Sequence, residues 1–289
     1  MDQKISIIIP TFNRKKMLSE LLKSMDNGRD EIIVVNDKST DGTLEMLKKD
    51  FPKVKIIEAE GKGQLYGKRL GVEKSTGNII GFCDDDSIVE KGYLDTVRGA
   101  FKDGIDIVQT RLIFKNKGET RIDEENRDTG KLKWNLRNNC KWNFGKEGKF
   151  IDACAESGIF FRRSVLNKAY FFDENLIGDG YGESVSFMLR SRQYGYKIYF
   201  EPSAINWHLG SDQGGSSERF DQAKTYNTNY TTIITGNMVY LNRRFNRKKY
   251  PLVVVYFVLA GLFLTLKTRK NCLKYFLAGI KEGKRAWKE

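Results

Sequence analysis

The sequence predicts an α/β protein with a mostly parallel central sheet flanked by helices, followed by a helical, basic and apolar C-terminal extension. Three observations predict it. Short apolar runs alternate with helix-period segments over the first 85 residues. Three polar clusters sit directly after apolar runs. The C-terminal fifth combines an uncharged stretch with dense Lys and Arg.

Residues 5–10 (ISIIIP) form a continuous apolar run, the mark of a strand buried on both faces. Residues 15–26 carry apolar positions at helical spacing. Residues 31–35 (EIIVV) are a second buried strand, ending in Asn36 and Asp37. Ser39, Thr40 and Asp41 then supply an N-cap signal for the helix TLEMLKKDF. Residues 53–59 are a third strand, 65–76 a helix, and 78–83 (NIIGFC) a fourth strand running into Asp84, Asp85 and Asp86. Ligand sites in such sheets form beyond the carboxyl ends of the strands. The clusters Thr11–Arg14, Asn36–Asp37 and Asp84–Asp86 therefore converge on one crevice.

Residues 111–150 read as a long polar insertion, with Trp134 and Trp142 interspersed. Residues 151–172 hold a strand-like IFF and a short helix, 183–194 a helix, and 197–202 a strand. Residues 209–219 are a Gly- and Ser-rich loop, and a helix follows from 223. The expected division is 1–110, 111–222 and a C-terminal extension 223–289.

Residues 251–266 carry no charge. Sixteen helical residues span about 24 Å, short of the roughly 30 Å hydrocarbon core. Basic clusters flank both ends, against the charge asymmetry of a spanning helix. An interfacial or re-entrant helix fits both facts. The competing readings are a buried helix and a dimerisation helix, which would make a homodimer.

The chain has 289 residues, 40% hydrophobic and 30% charged, enough for a sizeable core. Of its +13 net charge, 11 lie in residues 240–289. A nearly neutral body with a basic tail points to an anionic membrane surface and away from nucleic acid. Four widely spaced cysteines and a single histidine, His208, predict neither a disulfide framework nor a zinc site. That cysteine usage fits a reducing compartment. The N-terminus shows no signal-peptide pattern.

Three adjacent carboxylates repel one another without a cation, and Mg²⁺ or Mn²⁺ takes oxygen ligands while bridging to phosphate. A solvated turn is the plain alternative, but the position after a buried strand favours the cation. Asp37 is placed to accept from a base or ribose. Phe12 reads either as a stacking platform or as core. Lys68 and Arg69 are candidates to neutralise phosphate, although each alone reads as a surface charge.

The segments IIIPTFNR, EIIVVNDKSTDGT, GNIIGFCDDDSIVEKGYL, FFDENL and GYKIYFEPSAINWH, in this order over residues 4–208, resemble the family 2 glycosyltransferases. The resemblance implies a GT-A fold and inverting transfer from a nucleotide-diphosphate sugar, UDP by default. It implies that Pro10, Thr11, Phe12, Arg14, Asp37, Lys68, Arg69, Asp84 and Asp85 serve the nucleotide-sugar. Within that set Phe12 lies against the base, Asp37 bonds the base, and Asp85 approaches ribose or metal. Asp86 becomes the most direct metal ligand, and His208 touches the metal or the diphosphate. Leu70 departs from the A-R-N pattern in which Arg69 would sit. GYGESVSF departs from G-E-D, because Ser184 stands where the family has its aspartate base. A serine does not take a proton unaided. Glu183 therefore becomes the candidate base, with Asp179 a weaker substitute; the alternative is that Glu183 is structural.

The expected reaction is displacement at the anomeric carbon, with the divalent cation neutralising the leaving diphosphate and the 209–219 loop closing over it. The expected acceptor is a glycan or a lipid-linked sugar at the cytoplasmic face of the membrane, reached through residues 240–289. Trp134, Trp142 and Phe160–Phe161 offer aromatic faces for an acceptor groove, or plain core packing. Two alternatives stay open: a polyisoprenyl-phosphate sugar synthase, and a non-catalytic nucleotide-sugar-binding protein docked on a membrane.

Overall fold

Apolar runs with no polar alternation need cover on both faces, and the first half of the chain supplies it with crossover helices. A computed structural model of the chain describes residues 3–25, 28–102, 104–116, 119–120, 130–137, 145–178, 182–210, 226–268 and 272–286. Every residue of β1 (Ile5–Thr11) is buried. It pairs in parallel with β2 (Glu31–Asn36) on one side and β4 (Ile79–Phe82) on the other, and β2 pairs in parallel with β3 (Lys55–Glu58). The crossovers are α1 (Lys15–Ser24), α2 (Thr43–Asp50) and α3 (Gln64–Lys74). α1 buries Leu18, Leu21 and Leu22, the i, i+3, i+4 set of one helical face. α3 instead turns Gly67, Lys68 and Gly71 inward. A Cβ on Gly71 would lie 2.3 Å from Ile8 Cγ2, so only glycine permits this approach of helix to strand.

The second half of the sheet is mixed. It contains β5 (Ser87–Val89), α4 (Tyr93–Ala100), β6 (Ile107–Asn116), β9 (Ile159–Arg162) and β10 (Ile198–His208), with short β7 (Glu119–Thr120) and β8 (Lys149–Phe150) pairing β6 and β10. The strand order is β3-β2-β1-β4-β9-β6-β10-β5. β9 is antiparallel to both β4 and β6, β6 is parallel to β10, and β10 is antiparallel to β5. The β10–β6 register shifts between Glu201 and Ile205, a stretch containing Pro202, which has no N–H for a ladder.

Two expectations change here. β6 runs through the 110/111 division, so residues 111–116 are sheet and not insertion. Phe160 and Phe161 are fully buried and belong to the core, not to an acceptor groove. Residues 121–129 and 138–144 of the insertion, Trp142 among them, and residues 211–219 of the Gly/Ser loop lie outside the described residues.

A 3₁₀ turn (Arg163–Asn167) leads toward α5 (Glu183–Gln193). The extension is α6 (Tyr226–Phe245), α7 (Tyr250–Thr268) and α8 (Leu273–Arg285). Val185 of α5 shares one apolar cluster with Met238 and Tyr240 of α6, Val253 and Phe257 of α7, and Phe276 and Ile280 of α8. α6 and α8 cross on small residues: a Cβ on Gly283 would meet Gly236 O at 2.2 Å, and one on Gly279 would meet Thr232 O at 2.6 Å. α7 packs by one side only. Leu252, Val255, Leu259, Phe263 and Leu266 recur on its opposite side and are exposed, Leu266 by 80%. Tyr250–Lys267 is long and apolar enough to cross a membrane by length and composition. Trp134 packs edge-on against Tyr256 of α7, with ring centroids 5.8 Å apart.

Candidate functional site

The acidic triplet lies in the turn between β4 and β5, and the turn divides its side chains. Asp85 turns toward β1: it accepts from Thr11 Oγ1 at 2.7 Å and from Arg14 Nη1 at 2.8 Å. Asp84 and Asp86 turn toward His208. Asp86 Oδ1 lies 3.0 Å from His208 Nδ1, and Asp84 Oδ2 lies 4.0 Å from His208 Nε2. The ligand-type atoms of these three residues fall within 4.8 Å of one another. Sheet register brings the histidine there. His208 pairs with Ser87 across β10 and β5, and Leu209 N–H donates to Asp86 O at 2.9 Å.

Burial and neighbouring charges act against each other in this cluster. Burial raises the Asp85 carboxyl to about 6, with Arg14 opposing it. Burial would also raise Asp86, but His208 and Arg14 outweigh it and hold that carboxyl below its ordinary value. For His208, burial favours the neutral ring, yet the Asp86 and Asp84 carboxylates prevail and push it to about 9. Asp86 Oδ1 and His208 Nδ1 are both buried and both lack a well-formed hydrogen bond; at 3.0 Å they miss the alignment one needs. Two carboxylates and an imidazole with ligand-type atoms this close are a donor set that fits a divalent cation, which would take the place of the proton on His208. Asp84, assigned above to the nucleotide-sugar, thus joins this cluster, and Asp85 faces the other way.

Pro10 and Thr11 are buried at the end of β1, and Phe12 and Arg14 are half-buried just beyond it. Asp37 is buried at the end of β2 and accepts from Gly61 N–H at 2.6 Å and Gly63 N–H at 2.8 Å. Its carboxylate therefore ties down the loop after β3. Lys68 is buried, and its amine donates to Glu156 O at 3.2 Å, beside the Phe82 ring. Ser157, the next residue, accepts from Asp84 N–H at 3.0 Å, which links α3 to the acidic triplet. Arg69 points the other way. It is half exposed and pairs with Glu73 at 3.2 Å and Glu174 at 3.7 Å, so the structure does not bring it into the crevice.

Glu183 opens α5 behind Gly182, whose φ of 96° suits glycine. Glu183 is 2% exposed, and its Oε2 accepts from Asp173 N–H at 3.3 Å. Burial, reinforced by Glu156 and Asp173, lifts its carboxyl to about 8 against the opposing pull of the Asp173 N–H and Arg190. Asp179 lies outside the described residues. The sequence did not single out Asp173 as a site residue, although it sits in the FFDENL motif. Its Oδ2 accepts from Ser186 Oγ at 2.5 Å and Arg190 Nη1 at 2.6 Å, and Tyr240 Oη approaches both carboxylate oxygens at 3.1 and 3.2 Å.

Residues 6–169 of this chain match the sequence model of the family described as "Glycosyl transferase family 2". The chain belongs to that family. This family 2 chain is 29% identical over 221 residues to a "Probable glycosyltransferase YdaM" of Bacillus subtilis (strain 168), covering 71% of itself and 50% of that protein. It is 32% identical over 123 residues to a "GalNAc(5)-diNAcBac-PP-undecaprenol beta-1,3-glucosyltransferase" of Campylobacter jejuni, covering 40% of each. It thus spans half or less of the length of these curated relatives. Among solved structures, S. aureus TarS 1-349 in complex with UDP-GlcNAc shares its fold at a TM-score of 0.55 and 16% identity, with 98% of this chain and 92% of that one covered. The GT-A expectation holds for the fold.

Proposed function

We propose that the chain transfers a sugar, with inversion, from a nucleotide-diphosphate sugar to a lipid-linked or glycan acceptor at a membrane. The observation that carries this reading is the cluster of buried Asp86 with half-buried Asp84 and His208 at the strand ends of a family 2 chain. A divalent cation, Mn²⁺ or Mg²⁺, bound to these three residues supplies charge neutralisation for the leaving diphosphate. Arg14 pairs with Asp85 and Asp86 and favours the ionised form of each, and the buried Lys68 amine adds positive charge on the α3 wall. Asp37 fixes the loop beneath the base, and Phe12 stands where a base would lie. Glu183 takes the acceptor proton. Its Oε2 is occupied by Asp173 N–H, which leaves Oε1 as the receiving atom. A carboxyl lifted to about 8 is a strong base once ionised.

UDP is the default donor, consistent with the UDP-GlcNAc bound by the TarS structure. A lipid-linked acceptor is consistent with the undecaprenol in the Campylobacter relative's name and with α7. That helix is packed along one side and apolar along the other, with Lys248, Lys249 and Lys267 at its ends. This supports a helix lying in the cytoplasmic interface of the membrane over one surrounded by lipid.

Thermal shift of the full chain with Mn²⁺ and a panel of UDP-sugars tests the donor reading. Stabilisation by UDP-sugar that requires Mn²⁺ or Mg²⁺, and disappears in Asp86→Ala, is the expected result. No stabilisation and no UDP release with any donor overturns it. For the membrane, the chain should co-sediment with vesicles containing anionic lipid, and Leu259→Glu with Phe263→Glu should release it. A dimer dissociated by the same pair, without vesicle binding, would assign α7 to self-association instead.

A further inference from the structure

The C-terminal helices touch the candidate base through one buried residue. Asp173 has no exposed carboxylate surface, and the two ends of the residue do different things. Its backbone N–H donates to Glu183 Oε2. Its carboxylate accepts from Ser186 and Arg190, both on α5, and from Tyr240 on α6. Tyr240 is fully buried and carries the contact outward, because its hydroxyl accepts from Arg244 Nη1. Arg244 Nη1 also lies 3.6 Å from Asp173 Oδ2, and Nη2 donates to Tyr170 Oη at 3.3 Å. A tyrosine hydroxyl has one proton to give. With Arg244 supplying a donor, that proton is directed at Asp173. The order Arg244, Tyr240, Asp173, Glu183 is thus a directed chain of hydrogen bonds from a basic residue of the extension to the candidate base. α6 also holds the approach to Glu183: Asn237 Oδ1 accepts from Ile177 N–H at 2.8 Å, and a Cβ on Gly182 would stand 3.3 Å from Leu241.

We infer that Tyr240 and Arg244 are positioning residues for Glu183, acting through Asp173, so that the C-terminal helices form part of the catalytic machinery as well as any membrane contact. This rests on the reading of Glu183 as the base. The groups facing Glu183 are Glu156 from the loop before β9, Asp173 from the segment before α5, and Arg190 on α5 itself. Removing the Tyr240 hydroxyl weakens the hold on the second of these without touching Glu183.

The test uses the full chain and two readouts. Infrared difference spectra across pH follow the protonated carboxyl of Glu183, identified by the band that Glu183→Gln removes. Release of UDP from UDP-GlcNAc and UDP-glucose with Mn²⁺ follows turnover. Tyr240→Phe should move the Glu183 midpoint by roughly 0.5–1 unit, the equivalent of one hydrogen bond. It should lower kcat about 10-fold with KM for the donor unchanged, as expected for loss of an interaction that matters in the transition state. Arg244→Gln should do the same more weakly. Asp173→Asn serves as a third variant only if it folds, since it leaves Arg190 unpaired in the core. A Tyr240→Phe chain that melts earlier but keeps both the midpoint and kcat overturns the inference and leaves the base reading standing. Full turnover in Glu183→Gln overturns the base reading, whatever the midpoint does.

Discussion

Two buried acidic centres in this chain are built in opposite ways. At the strand ends, Asp86 and His208 meet at 3.0 Å with one buried polar atom on each left without a proper hydrogen bond. Some twenty residues before the end of α5, Asp173 is saturated by a serine, an arginine, a tyrosine and Asn175. The first arrangement leaves polar atoms unsatisfied, and the second satisfies both carboxylate oxygens. Buried polar atoms are normally satisfied, so the unsatisfied pair is a candidate for binding a ligand, while the satisfied centre ties α5 and α6 together.

The contrast breaks or survives on four measurements, taken from the largest effect down. Asp86→Ala should abolish metal-dependent UDP release at only a modest cost in melting temperature, because His208 loses its carboxylate partner while Arg14 keeps Asp85. Retained turnover would end the case for the cluster. Asp173→Ala should do the reverse and destabilise the fold by about 3–5 kcal/mol, the cost of leaving Arg190 charged, buried and unpaired. Chemical denaturation measures it, and a loss under about 1 kcal/mol would show that the centre is not structural.

The third measurement is pH dependence. Glu183 works as a base only when ionised, so turnover should climb as pH rises through about 8. Stability should move the other way. Its folded value lies above the ordinary 4.5, so the folded state holds the proton more tightly, and stability falls as pH rises from about 4.5 toward about 8. A turnover profile flat across that window would remove Glu183 as base. The smallest effect belongs to Arg69→Ala. Its pairs are exposed, so stability should change by less than about 0.5 kcal/mol and Mn²⁺-dependent donor binding should be unchanged. Loss of donor binding would return Arg69 to the site.

Much of this was legible residue by residue. ISIIIP and EIIVV declared buried strands, because a strand covered on both faces has no polar alternation. The acids after NIIGFC declared a site, because strand ends in such sheets face a crevice. Other features were not. β9 sits between β4 and β6, antiparallel to both, and nothing within its four residues encodes that neighbourhood. Residues 111–116 carry an apolar Leu112-Ile113-Phe114 core, but the polar residues that follow masked it as the end of a long strand, whose partner β10 lies far along the chain. Lys68 and Arg69 are adjacent and equally basic, yet a glycine-lined helix face turns the first inward and the second outward.

The sequence alone determined the parallel half of the sheet, the placing of acids at strand ends and the apolar, basic character of the C-terminal helices. Each is written in a window of a few residues, where side-chain period and polarity fix the local outcome. Only the tertiary structure decided that Asp84 and not Asp85 joins Asp86, that His208 arrives from more than a hundred residues away, and that α6 reaches Glu183 through Asp173. Those outcomes depend on strand order, register and helix packing, which are properties of distant segments meeting and are absent from either segment by itself.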